Sequence, residues 1–240
     1  MKIILLTIFF FNYAFAITLT PLYNTVDDRR ELKTIFTVQN PSNHPVAVKV
    51  SVKRVVDTDN NKEKTIESPN INYYPAQFVL DAKSSKNIRV TYLNRTLPKI
   101  EEVYRVLATE LDINVKDREP TQVAKGEKKA ELIMRFSYGG LLFVKDKNAK
   151  ANVTIESFKN LSDGAFEIVM KNSGTASFLF NHTKDNLKAI INGKEHILNE
   201  EDTEGAEFRR VLPNKSNRFI LKNIKSISQN AITSLKIEEK

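Results

Sequence analysis

Apolar residues recur at every second position in several stretches of this chain, and that spacing constrains its fold most strongly. The clearest example is residues 46–52, where a valine stands at each even position between Ala, Lys and Ser. The same alternation occurs in residues 32–39, 88–92 and 103–109. Successive side chains of a β-strand point to opposite faces, so the pattern predicts strands with one buried face. No long segment has the 3.6-residue spacing of an amphipathic helix.

Turn-forming residues separate the predicted strands at short intervals. In the first half they lie at residues 40–43, 57–64, 81–85 and 94–99. In the second half Asn192-Gly193 is a strong hairpin signal, because both residues readily adopt a positive φ. Further predicted strands of this half are residues 152–160, 165–171, 187–191, 195–198, 218–221 and 233–237. Many short strands at this spacing predict an all-β fold of the sandwich type.

The chain is long enough for two such sandwiches. It has 240 residues, and residues 145–150 form a polar stretch near the middle. An immunoglobulin-like sandwich needs about 100 residues and seven strands. We therefore predict two immunoglobulin-like β-sandwich domains, at residues 17–145 and 146–240.

Residues 1–16 read as an export signal. Lys2 is followed by an apolar run from Ile3 to Phe11, and Ala14-Phe15-Ala16 has the A-x-A pattern of a cleavage site. The run is shorter than the roughly 20 apolar residues of a membrane-spanning helix. We predict cleavage after Ala16 and an exported product that does not span a membrane.

Composition and motifs argue against most enzymatic chemistry. The chain has no cysteine and three histidines, which excludes a cysteine nucleophile and leaves few metal ligands. No nucleophile elbow, zinc-protease motif or phosphate-binding glycine loop occurs. The net charge of +8 is scattered rather than gathered into a basic patch, so nucleic acid is not an expected partner. We predict a protein that is not an enzyme and needs no cofactor or metal.

Residues 75–145 carry a resemblance to a known family. Pro75 opens a segment that ends in Ile88-Arg89-Val90; Glu101 then leads to Tyr104-Arg105-Val106 and a closing Glu110. Residues 131–145, reading ELIMRFSYGGLLFVK, follow. This order resembles the periplasmic pilus-assembly chaperones of the chaperone–usher pathway, the PapD-like family. Such chaperones lend an edge strand to a client that lacks one.

The resemblance implies that residues 131–138 include the donor strand. Leu132, Met134, Phe136 and Tyr138 fall on one face of this segment, and large apolar side chains there would fill a client's open groove. Burial of four such side chains is worth about 6–12 kcal/mol before ordering costs. From the pattern alone, an ordinary strand buried on both faces is the favoured interpretation, and the resemblance reverses this preference. Residues 113–130, polar and long for a hairpin loop, would be the lead-in to this strand.

The family also anchors the client's C-terminal carboxylate on two basic residues in the cleft between its domains. Here the corresponding positions fall near Tyr23 and Gly140-Leu141, and neither is basic. Lys145, Arg89 and Arg135 are the candidate replacements. The resemblance further implies an interdomain contact that involves Glu101 and Lys145.

The predicted function is therefore that of a periplasmic chaperone. It would capture pilus or fimbrial subunits by donor-strand complementation and deliver them to an outer-membrane usher. The alternative is an exported adhesive or structural module of two sandwiches without chaperone activity. The two interpretations differ in whether the face carrying Leu132 to Tyr138 is available to a client.

Overall fold

Eighteen β-strands and no helix make up the described part of the chain, which confirms the all-β prediction. The structure is a computed structural model that describes residues 17–27, 31–59, 62–111, 136–161, 165–181, 184–203, 210–221 and 232–239. None of these residues belongs to a helix long and apolar enough to cross a membrane. The predicted export signal, residues 1–16, and the predicted lead-in loop, residues 113–130, lie outside the described residues.

Ten strands form the first half of the molecule. They are β1 (Thr18–Thr20), β2 (Tyr23–Val26), β3 (Lys33–Gln39), β4 (Val46–Asp59), β5 (Lys62–Ile66), β6 (Ile71–Tyr74), β7 (Gln77–Leu80), β8 (Ser85–Tyr92), β9 (Glu102–Leu111) and β10 (Ser137–Val144). One sheet has the order β1-β3-β8-β6. The other has the order β2-β10-β9-β4-β5, with β7 also paired to β4.

The two sheets face each other across one hydrophobic core. Its fully buried members come from both sheets, as the alternation predicted: Phe36 and Val38 from β3, Ile88 and Val90 from β8, Val48 and Val50 from β4, and Tyr104, Val106 and Leu142 from β9 and β10. The first strand segment joins the sheets, because β1 pairs with β3 while β2 pairs in parallel with β10. Pro21 and Leu22 connect the two segments.

Eight strands form the second half. They are β11 (Val153–Asn160), β12 (Phe166–Asn172), β13 (Phe178–Leu179), β14 (Asp185–Ile191), β15 (Lys194–Ile197), β16 (Arg210–Val211), β17 (Lys215–Leu221) and β18 (Ile232–Glu239). Their sheets have the orders β11-β12-β17, β13-β16 and β15-β14-β18. A separate core, with Phe166, Phe180, Leu187 and Phe219 among its members, lies between them. The predicted hairpin at Asn192-Gly193 is present between β14 and β15.

The predicted turn at residues 57–64 is too long. Strand β4 continues to Asp59 and pairs with β5 from Lys62 onward, so residues 57–59 and 62–64 of the predicted turn are strand. This extension reaches the second half, where Thr58 Oγ1 donates to the Arg210 carbonyl at 3.2 Å and Asp59 pairs with Arg218 at 3.6 Å. These long-range contacts hold polar residues in a strand that local sequence marks as a turn.

Adjacent glycines within a strand, as in Tyr138-Gly139-Gly140, often mark a bulge or kink. Residues 137–144 of β10 instead pair with β9 without a register shift. Gly139 and Gly140 instead allow neighbouring atoms to pack closely against the two faces of this regular strand.

Candidate functional site

Strand β10 is paired along only half of one edge. Its partner on one side, β9, follows all of residues 137–144. On the other side β2 pairs only with Leu141–Val144. Within the described part of the chain, no strand pairs with Ser137–Gly140 on that second edge. An edge of this kind offers hydrogen-bonding groups to another chain.

The direction of the backbone groups can be read from the bonds on either side. Leu141 N–H donates to the Leu22 carbonyl at 2.8 Å, on the edge away from β9. N–H groups alternate in direction along a strand, so those of Ser137 and Gly139 point to the same edge as that of Leu141. On the β9 side, the Phe136 carbonyl accepts from Glu110 N–H at 3.0 Å.

The structure describes two of the four predicted donor side chains. Phe136 lies just before β10 and is half-buried. Tyr138 is half-buried within β10 and packs against the first core. Leu132 and Met134 lie outside the described residues, as does the candidate anchor Arg135. The subunit-binding role of this face stays a prediction.

The opposite face of β10 looks toward the second half. Leu141 forms a small apolar cluster with Val55, Val103 and Leu212, and Phe143 packs against it. Leu212 comes from the second half and the other members from the first, so this cluster joins the two halves. The same sheet face also carries Arg105, which pairs across from Leu141.

Gly140 is required by packing on the core face. A Cβ there would lie 3.0 Å from Phe36 Cε1 and 3.2 Å from the Pro21 carbonyl oxygen. Such contacts force neighbours to move, and Phe36 is fully buried. This position therefore has no room for the basic residue that the resemblance leads one to expect.

Arg105 occupies the space that Gly139 leaves on the other face. A Cβ on Gly139 would lie 3.3 Å from Arg105 Nη1 and 3.1 Å from Leu107 Cδ2. The guanidinium is held by Glu63 of β5, with Nε 2.8 Å from Oε2 and Nη2 2.5 Å from Oε1. A bidentate pair of this kind fixes the orientation of the guanidinium beside the unpaired edge.

Arg210 is a second, more deeply buried cation on this side of the sheet. Only 7% of its surface is exposed, and its guanidinium carbon lies 4.9 Å from the centroid of the Phe143 ring. Among the residues that the structure describes, its Nε finds no hydrogen-bond partner. Burial lowers the pKa of the Arg210 guanidinium, although an arginine remains charged at neutral pH. A buried charge with an unused donor favours a site that receives an anion.

Glu101 and Lys145 lie together at the junction of the two halves. Lys145 Nζ is 3.5 Å from Glu101 Oε2. Glu101 Oε1 accepts from Ser177 N–H at 3.0 Å, and Glu101 N–H donates to the Thr175 carbonyl at 2.8 Å. Because Glu101 is buried and already neutralises Lys145, this lysine offers less net charge to an anion than Arg210 does.

Arg89 and Tyr23 lie in different sheets of the first half. Arg89 is exposed on β8 in the four-stranded sheet, opposite Ile35 and Tyr74, and so lies in a different sheet from β10. That location argues against an anchoring role beside β10. Tyr23 is 49% exposed on β2, with its ring 6.4 Å from that of Phe143. It thus borders the same cleft as Arg210.

Sequence reasoning missed Arg105 and Arg210 as candidate site residues. Arg105 lies in a regular alternating strand, where an outward arginine resembles any solvated residue. Arg210 belongs to a scattered basic pair, and a short strand of two residues, β16, buries it. Only the packing of the second half against β10 brings these side chains to one place.

Comparison with known proteins agrees with this architecture. No curated protein matches the chain significantly in sequence. Among solved structures, that of a class 5 fimbriae chaperone, CfaA, is 17% identical, with a TM-score of 0.54 over 94% of this chain and 99% of the other. A chaperone from a complex with a tip adhesin of CFA/I fimbriae is also 17% identical, with a TM-score of 0.56 over 94% and 98%. These likenesses show the fold.

A further similar structure comes from the Salmonella enterica complex of SafA pilin with the SafB chaperone. It is 14% identical, with a TM-score of 0.53 over 88% of this chain and 85% of the other. The family model for the pili and flagellar-assembly chaperone, PapD N-terminal domain, matches residues 24–145. That match includes β3 to β10 and covers more than half of the chain, and the chain therefore belongs to the family of PapD-like pilus-assembly chaperones.

Proposed function

We propose that this chaperone captures pilus subunits in the periplasm with the free edge of β10 and delivers them to an outer-membrane usher. One observation carries the proposal. The N–H groups of Ser137 and Gly139 point away from β9, and β2 stops short of them. An extended segment of a subunit that docks there would continue the six-stranded sheet.

Several similar structures support fimbrial subunits, that is pilins and tip adhesins, as the class of partner. The relatives that share this fold include a chaperone bound to a tip adhesin, one bound to SafA pilin, and the CsuC–CsuE chaperone–adhesin complex of Acinetobacter baumannii. The export signal predicted at residues 1–16 supports a periplasmic location. The family match does not favour the alternative of an adhesive module without chaperone activity.

Capture in this mechanism needs no nucleotide, metal or covalent chemistry. The edge supplies main-chain hydrogen bonds, and side chains from residues 132–138 fill the subunit's open groove. Release then requires only that another strand replaces this one. The family is one of non-enzymatic chaperones, and we assign no catalytic residue.

We further propose that Arg210 and Arg105 receive the C-terminal carboxylate of the subunit. Both guanidinium groups lie on the face of β10 that looks toward the second half. Arg105 is already paired with Glu63, whereas the Nε of Arg210 has no hydrogen-bond partner among the described residues. A carboxylate would occupy the unused donor of Arg210 and would be held by charge-assisted hydrogen bonds. Glu101 and Lys145 would hold the two halves in the arrangement that forms this site.

The capture experiment uses periplasmic co-expression with a subunit encoded beside the chaperone. The wild-type chaperone should co-purify with soluble subunit, whereas a variant with both Met134→Asp and Phe136→Asp should release it. If neither protein captures any subunit, the proposed function fails. If both capture it equally, residues 132–138 are not the donor strand.

Two substitutions at one position test the free edge itself. Ser137→Pro removes the outward N–H without removing a bond to β9, and proline is tolerated on strand edges. Ser137→Ala is the matched control, because it loses only the hydroxyl contact to Thr109 Oγ1 at 2.9 Å. We expect Ser137→Pro to reduce capture at least about tenfold, the equivalent of 1.4 kcal/mol, and Ser137→Ala to leave it unchanged.

The anchor is tested with Arg210→Met, which keeps an unbranched apolar chain in place of the first part of the arginine and removes the charge. Arg218→Met, an exposed arginine of the same half, is the control. The account predicts a loss of capture of at least about tenfold for Arg210→Met and little change for Arg218→Met. Equal capture by both variants would show that Arg210 does not bind the subunit.

A further inference from the structure

The first described residue of the chain is buried and bonded to a carboxylate. Ile17 is 1% exposed and belongs to the first core. Its backbone nitrogen donates to Glu110 Oε1 at 3.0 Å. Glu110 is 93 positions further along the chain, near the end of β9, so this bond ties the beginning of the domain to its last hairpin.

An independent sequence observation points to the same nitrogen. Ala14-Phe15-Ala16 has the A-x-A pattern of a signal-peptidase site, which places the cleaved bond between Ala16 and Ile17. Hydrolysis breaks the C–N bond, and water adds OH to the Ala16 carbonyl and H to the Ile17 nitrogen. At neutral pH the freed amine then takes a proton and becomes an ammonium group.

We propose that export processing creates a buried ion pair between the α-ammonium of Ile17 and the carboxylate of Glu110. In the precursor, Ile17 has a single neutral N–H to donate. After cleavage it has up to three donors and a full positive charge, which makes the bond to a carboxylate charge-assisted and stronger. The mature protein is thus held by an ion pair at the position where the precursor has only a neutral hydrogen bond.

The location of the pair links it to the binding edge. Glu110 N–H also donates to the Phe136 carbonyl at 3.0 Å, at the point where the described part of β10 begins. Processing therefore secures β1, the end of β9 and the start of β10 to one another. This inference rests on the export that is part of the proposed function, but it concerns stability rather than capture.

Four versions of the mature chain test the proposal, each made by removal of a cleavable tag that leaves a defined first residue. They are the chain beginning at Ile17, the same chain with Glu110→Gln, the chain extended by Ala16, and the extended chain with Glu110→Gln. Intact mass and N-terminal sequencing of the protein exported from the full precursor establish the natural first residue, which should be Ile17.

We expect the extension and Glu110→Gln each to lower Tm by at least about 4 °C. The doubly changed chain should melt no lower than the worse single variant, because both changes remove the same pair. An extended chain that melts within about 1 °C of the native one overturns the proposal, as does a natural first residue other than Ile17.

A second measurement does not depend on whether the extended chain folds. Amine acylation of the native protein near neutral pH should spare the buried α-amine of Ile17 and should label it after Glu110→Gln. Rapid labelling of Ile17 in the native protein overturns the proposal. Both readouts are independent of subunit capture, so a failure of the chaperone function is distinguishable from a failure of this inference.

Discussion

At the scale of single residues, two buried asparagines perform the same task in the two halves. Asn40 Nδ2 donates to the carbonyls of His44, Leu80 and Asp81 at 2.8–3.2 Å. Asn172 Nδ2 donates to those of Ala176 and Val211 at 2.8 and 3.1 Å. Each side chain satisfies backbone groups where a strand ends and the chain turns, and each is almost fully buried.

Asn172→Ala should therefore be costly. It leaves the Ala176 and Val211 carbonyls and the Asn152 and Gly174 N–H groups without these partners. Each buried polar group left unpaired costs about 1–3 kcal/mol, so we expect the free energy of unfolding to fall by about 2–4 kcal/mol. Urea denaturation of the purified variant measures the loss, and a change below about 0.5 kcal/mol would contradict this role.

The two neighbouring glycines of β10 give a matched pair of predictions. Gly140→Ala places a Cβ against the buried ring of Phe36 and the Pro21 carbonyl, and we expect a loss of about 1–3 kcal/mol. Gly139→Ala meets the ends of the Leu107 and Arg105 side chains, which can move, so its cost should be smaller. In urea denaturation, the midpoint of Gly140→Ala should therefore lie below that of Gly139→Ala. Equal midpoints would contradict this prediction.

At the scale of elements, the strands follow from alternation because burial of one face is a local property of the sequence. Residues 46–52 and 88–92 show this most clearly, and both lie within observed strands. The extension of β4 to Asp59 could not be predicted in this way, since contacts with Arg210 and Arg218 stabilise it. Long-range packing similarly assembled Arg105 and Arg210 beside β10.

The hairpin between β14 and β15 yields a prediction about backbone conformation alone. Gly193 has φ of 76° and open space around its Cα, so a side chain there meets no neighbour. Gly193→Ala should still cost about 1–2 kcal/mol, because an alanine adopts this conformation poorly. Gly193→Asn is the control and should cost less, since asparagine tolerates a positive φ. Thermal melting of both variants checks the order.

At the scale of the whole molecule, contacts between the two halves hold the sheet face that carries Leu141 and Arg105. The buried carboxylate of Glu101, for which the resemblance implies an interdomain contact, lies between Lys145 and Ser177. The predicted boundary between residues 145 and 146 stays a prediction. The contact partners of Glu101 could not be derived from the spacing of residues in the sequence, because they come together only when the two halves pack against each other.

Two substitutions of Glu101 separate the contribution of its ion pair with Lys145 from that of its hydrogen bond with Ser177. Glu101→Gln loses the ion pair with Lys145 but keeps an oxygen that can accept from Ser177 N–H, and should cost under about 1 kcal/mol. Glu101→Ala loses both and should cost about 1–3 kcal/mol. Urea denaturation gives both values, and limited proteolysis between residues 145 and 152 should accelerate only for the alanine variant. Identical behaviour of the two variants would show that the Ser177 bond contributes nothing.

The central claim is that a subunit pairs with the free edge of β10, and amide hydrogen exchange tests it most directly. On formation of a chaperone–subunit complex, the amides of Ser137 and Gly139 should become protected. The amides of β3 and β8 in the four-stranded sheet should exchange as they do in the free protein. Protection confined to that sheet or to the second half, with residues 137–140 exchanging as in the free protein, would contradict the account.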